Sequence, residues 1–221
     1  MKRQVLLPFF MLLFFCIAYT PLHAMKQIIK KKKQDVFATY SDYLREENEE
    51  TFKKLQLIIQ QEKEALNGKF HFNGQNIFIK ASNDNRPEII KVLLATDGID
   101  PNIKENSSQN NTALHIASKK GFLEIVKLLI NKTNLYTYNA HNQYPILSAL
   151  YGLLIENEYN TEKEEKKKKE NIYKILQLFR KKIGNDQTKN IIENKIEDYH
   201  EQFKETLKIR TYFRALSILL D

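Results

Sequence analysis

The stretch NTALHIASKKGFLEIVKLLI, from Asn111 to Ile130, decides the fold. It reads as two short helices with a turn between them. Thr112 is a good N-cap, because its hydroxyl can accept an otherwise unpaired backbone N–H of the first turn. Leu114, Ala117 and Ser118 follow at helical spacing, and the small pair Ala117-Ser118 lets a second helix approach closely. Gly121 falls where a residue without Cβ takes a left-handed turn cheaply. Leu123, Ile125, Val126, Leu128 and Leu129 supply the buried face of the second helix.

The pattern recurs on both sides. Upstream, Asn73-Gly74 marks a tight turn, and NIFIKASNDNRPEIIKVLLATDGIDPN, Asn76 to Asn102, aligns at an offset of 36. Ala81-Ser82 then falls on Ala117-Ser118, Phe78 on Leu114, Ile89 on Ile125 and Lys91 on Lys127. Asn85 takes the place of the turn glycine, and asparagine visits the left-handed region readily. Downstream, Tyr144 to Ala149 repeats Thr112 to Ala117 at an offset of 32. Its first helix runs on through Leu150, Leu153, Leu154 and Ile155. ENEYNTEKEEKKKKE, residues 156–170, then intervenes before the apolar spacing resumes at Asn171 to Leu176. This charged, glycine-free insert is expected to extend both helices as a protruding hairpin.

T-A-L-H-I-A, Thr112 to Ala117, resembles the T-P-L-H-x-A signature of the ankyrin repeat, with Ala113 in place of the proline. Tyr144 to Ala149 keeps the proline as Pro145. Asp97-Gly98-Ile99-Asp100-Pro101-Asn102 is similar to the G-A-D-P-N ending of an ankyrin unit. The resemblance spans Gly74 to Phe179. It implies an all-α ankyrin-repeat solenoid of stacked helix-turn-helix units with hairpin loops, flanked by N- and C-terminal capping helices. The expected division is 1–24 signal peptide, 25–69 N-terminal segment and cap, 70–183 repeats and 184–221 C-terminal caps. Within the array the units run at about 74–106, 110–139 and 142–183.

The resemblance also implies a non-catalytic role in protein–protein interaction, through a concave face and the hairpin tips. Carried onto this chain, the tip positions are Asn73, Lys104, Asn106 and Asn142, and those on first helices are Asn83, Asp84, Lys119 and Lys120. Thr112, Leu114, His115, Ala117 and Gly121 form the structural motif, with the His115 ring bonding neighbouring backbone to steady the stack. The implied partner is an unidentified protein, the chain is expected to be monomeric, and no cofactor or metal is implied. The loop Ile103 to Asn111 is longer than the family's hairpin and lacks its tip glycine, which reads as a tolerated insertion or a contact element.

The flanks carry their own signals. Lys2 and Arg3, the apolar run Val5 to Ala18, and Leu22-His23-Ala24 read as a cleavable export signal, so the expected location is periplasmic or secreted. An uncleaved anchor is the alternative, and only then is membrane contact expected. Cys16 is the one cysteine, so the mature chain holds no disulfide. The formal charge of +8 falls by two with the signal, and the excess lies in Lys30 to Lys33 and Lys166 to Lys169. No aromatics interleave these runs, and no nucleic acid is expected. Met25 to Ala38 is weakly patterned. Leu44, Phe52, Leu55, Ile59 and Leu66 place one helix over Ser41 to Leu66. Ile192, Ile196, Tyr199, Phe203 and Leu207 mark another amphipathic helix, and Tyr212 to Leu220 a final apolar stretch.

No HExxH, G-x-S-x-G, P-loop or G-x-G-x-x-G occurs, and none of His71, His115, His141 and His200 sits at HExxH spacing. His141 is expected at the surface. Two other classes of function compete with the interaction module. One is a secreted toxin or effector whose activity sits in the helical C-terminal third, docked by the repeats. The other is an envelope protein touching anionic lipid through the lysine runs.

Overall fold

The computed structural model describes residues 26–28, 31, 35–67, 76–154, 161–188 and 190–191. The chain divides into two units, residues 1–72 and 73–221.

In the first unit, residues 35–46 form helix α1, followed by α2 (Glu49–Gln61) and α3 (Lys63–Asn67). A single helix over Ser41 to Leu66 is not what forms. Glu47 takes a left-handed conformation (φ 46°), and the Asn48 side chain caps α2 by accepting the Thr51 N–H at 2.9 Å. Asparagine competes for backbone donors better at a cap than inside a helix, so it ends α1 and starts α2. α1 also begins earlier than expected: Val36, Phe37 and Tyr40 are buried, as are Leu55, Ile59 and Leu66. Tyr43 and Phe52 meet across the break, with centroids 5.4 Å apart.

The second unit is a two-layer stack. One layer is α4 (Ile77–Asn83), α6 (Ala113–Lys120) and α8 (Pro145–Leu154); the other is α5 (Pro87–Ala95), α7 (Leu123–Leu129) and α9 (Glu162–Ile183). The described residues hold no strand, only an isolated antiparallel bridge between Lys104 and Thr112. α4 to α7 repeat in the register read from sequence. Asn76 caps α4 through the Ile79 N–H at 2.8 Å, as Thr112 caps α6 through His115. Asn85 (φ 54°) and Gly121 (φ 74°) make the same left-handed turn, and Pro87 opens α5 at a position where its missing N–H costs nothing. Ile79, Ile89, Ile90, Leu93, Leu114, Ile125 and Leu129 form the core between the layers.

Over its described part the charged insert extends the second helix. Glu162 to Glu170 belong to one 22-residue helix with the stretch that follows, so the second helix starts well before Asn171. Thr161 caps it by accepting the Glu164 N–H at 3.3 Å. Glu162, Glu164 and Glu165 sit on its positive end and Arg180, Lys181 and Lys182 on its negative end. Lys169 pairs with Glu165 one turn away at 2.5 Å. Gly184 ends the helix (φ 96°), and residues 185–188 are helical. Ile155 to Asn160, the signal segment and the expected C-terminal helices from Ile192 lie outside the described residues. Among the described residues no helix is long and apolar enough to cross a membrane.

Candidate interaction surface

The surface is built by side chains that reach from one unit to the next. His115 is the central one, on the first turn of α6 and 1% exposed. Its Nδ1 lies 2.7 Å from the Thr112 hydroxyl and 3.2 Å from the Thr112 N–H, while Nε2 lies 2.9 Å from the Gln143 carbonyl. The network assigns the proton to Nε2, which donates to Gln143, and leaves Nδ1 to accept from Thr112. Burial holds this imidazole down from 6.5 to about 4; the Gln143 carbonyl opposes the shift, and the nearby Lys104 charge adds to it. Both nitrogens are committed to structure. Leu114 and Ala117 are fully buried beside it, and Gly121 closes α6.

Beyond His115, the hairpins are joined by amides. Asn139 Nδ2 donates to Asn111 Oδ1 at 2.9 Å, and Asn111 Nδ2 donates to Glu105 Oε1 at 2.8 Å. The Ala140 N–H donates to the Gln109 carbonyl at 2.8 Å, and the Asn134 N–H to Asn102 Oδ1 at 2.6 Å. None of Glu105, Gln109, Asn111, Asn134 or Asn139 was singled out from sequence. In an asparagine-rich chain their residue type carries little signal, though Asn102 and Asn134 share the offset of 32. Asn110 (φ 52°) and Asn142 (φ 55°), at that same offset, take the left-handed positions of the two tips without a glycine.

The expected contact positions divide into two groups. Asn106 and Asn142 stand exposed at tips 106–109 and 140–142, together with His141. The others are engaged along the stack. Lys104 Nζ donates to the Tyr138 carbonyl at 2.6 Å, and Lys120 Nζ to the Asn83 carbonyl at 3.1 Å. Asp84 pairs with Lys80 at 2.8 Å, and Lys119 Nζ lies 5.2 Å above the Tyr151 ring. Asn73 lies outside the described residues, as do His71 and His200. Tyr136 and Tyr138 were not foreseen and are about half exposed. Tyr138 stacks on Tyr144 at 4.3 Å, Tyr136 meets Tyr144 edge-on at 6.0 Å, and the Tyr136 hydroxyl donates to Gln187 at 2.7 Å. The hydroxyl bond between Tyr138 and Tyr144, with burial second, pushes the Tyr144 phenol up to about 12.

α8 comes close against the end of α6 at one glycine. A Cβ built on Gly152 would sit 2.1 Å from the Lys119 carbonyl oxygen, so only glycine permits this approach. At Gly121 an added Cβ would meet Lys168 and Ile172 of α9 at 3.0–3.2 Å. The arrangement holds side chains in fixed places across three units. It offers surfaces for contact.

A family model described as Ankyrin repeats (3 copies) matches residues 43–142. That span starts in α1, upstream of Gly74, and stops before Tyr144. No curated protein and no solved structure matches the chain. The motif that caps α6 and ties it to the next hairpin lies inside the matched span, and residues 43–142 are an ankyrin repeat region.

Proposed function

We propose that this chain is a non-catalytic protein-binding module, with a contact surface formed by the first helices α4, α6 and α8 and the tips 106–109 and 140–142. The joining of successive units by side chain to backbone bonds carries this reading. Lys120 reaches the Asn83 carbonyl, His115 that of Gln143 and Lys104 that of Tyr138. These bonds fix the scaffold and leave tip side chains such as Asn106 free to meet a partner, which lowers the entropy cost of binding. The histidine that could suggest chemistry is consumed by the stack. The proposal includes export directed by Lys2 to Ala24, which predicts an intact mass for the exported protein that begins at Met25.

Cross-linking with mass spectrometry in the native cell fraction tests the reading. Cross-links from a partner should concentrate on Lys104, Lys119, Lys120 and the hairpin tips. Cross-links confined to the α5, α7 and α9 layer would contradict it.

A further inference from the structure

Lys119 and Lys120 close α6 with two ammonium groups that have no carboxylate partner among the described residues. Among the described residues, Lys119 lies over the Tyr151 ring, while Lys120 bonds the Asn83 carbonyl and lies 5.8 Å from the Phe122 ring. Both are held below the usual lysine range, first by burial. For Lys119 the Lys168 charge adds to the effect and Glu105 opposes it; for Lys120 Asp84 opposes it, and Lys119 and Lys80 add to it. Asp84 and Glu105, the acids that act on the two lysines among the described residues, are already committed. Asp84 holds Lys80 at 2.8 Å, and Glu105 is buried and accepts both the backbone and the side-chain N–H of Asn111.

Lys168 of α9 acts on Lys119, and Lys80 of α4 on Lys120, so like charges from three helices meet at the end of α6. Bringing like charges together in a half-buried setting is unfavourable for the free chain and concentrates positive potential there. An anionic partner would relieve that repulsion, and Tyr151 adds a flat amphipathic surface of the type that anchors interfaces.

We infer that the patch around Lys119, Lys120 and Tyr151 docks an acidic segment of a partner protein, laid across the C-terminal ends of α4, α6 and α8 with its carboxylates on the two lysines. The inference rests on the protein-binding reading and specifies the chemistry of the partner. Complementary charge of this kind sets the rate of encounter and the choice of partner more than the total affinity.

The test is fluorescence anisotropy of a labelled glutamate-rich peptide with the full chain, at low and physiological salt. Lys119→Ser with Lys120→Ser should weaken binding about tenfold, the loss of roughly two exposed charge contacts. Lys127→Ser with Lys132→Ser removes equal charge from exposed positions elsewhere and should change it less than about twofold. Lys119→Arg with Lys120→Arg should retain binding, and thermal melts of all variants exclude misfolding as the cause. Equal losses from both serine pairs would reduce the effect to net charge and overturn the inference. Tighter binding of phosphatidylserine vesicles or duplex DNA than of the peptide would overturn it too. If the peptide fails to bind while cross-links still gather on the hairpin tips, the acidic partner is excluded and the protein-binding function stands.

Discussion

His115 shows how one side chain can set a pH dependence. Its folded pKa of about 4 lies below the ordinary 6.5, so the unfolded chain takes up the proton first as pH falls. The stabilisation is therefore fully present above pH 6.5, is lost as pH drops through the window between the two values, and is gone below about 4. A shift of this size corresponds to a loss on the order of 3 kcal/mol. Urea unfolding across the window should show wild type losing that much more stability than His115→Gln, and parallel curves would contradict the assignment. The glycines separate two other effects. Gly152→Ala must push α8 away from the Lys119 carbonyl and should cost about 1–3 kcal/mol or more by overpacking. Gly98→Ala meets nothing within 4 Å, so only its φ of 85° opposes it, and the cost should stay near 1 kcal/mol. Chemical denaturation of the two variants reads the difference directly.

Among the elements, α9 joins a charged, exposed first half to a packed second half. Glu165→Ala should cost no more than about 0.5 kcal/mol, because a partly exposed i,i+4 pair contributes little. Ile172→Ala removes a fully buried side chain and should cost about 2–5 kcal/mol. Comparable costs from the two would refute this division. The pairing of α4–α5 with α6–α7 was readable in advance, because apolar spacing, a capping residue and a left-handed turn residue recur together at one offset. The break at Glu47-Asn48 was not, since the apolar stripe runs through it while a single asparagine side chain diverts the backbone. Nor was the Gly152 contact, because a glycine within an apolar helix looks the same whether it touches lipid, solvent or another backbone. The amide chain from Glu105 through Asn111 to Asn139 depends on the spacing of two hairpins. Residue type alone could not reveal it.

At the scale of the molecule, a short repeat array depends on its ends, since each unit buries its apolar face only against a neighbour. Gln187 holds the Tyr136 hydroxyl, and Thr188 is fully buried beyond α9. Deleting residues 186–221 should therefore abolish the single cooperative unfolding transition, and an unchanged melting curve would contradict this. The central claim is that the first helices and hairpin tips form the binding surface on a scaffold fixed by inter-unit bonds. Hydrogen exchange of the full chain, free and bound to the partner recovered by cross-linking, tests it most directly. Protection should appear in α4 and in residues 104–120 and 138–152 and leave α5 and α7 unchanged; protection confined to α5, α7 and α9 would contradict the account.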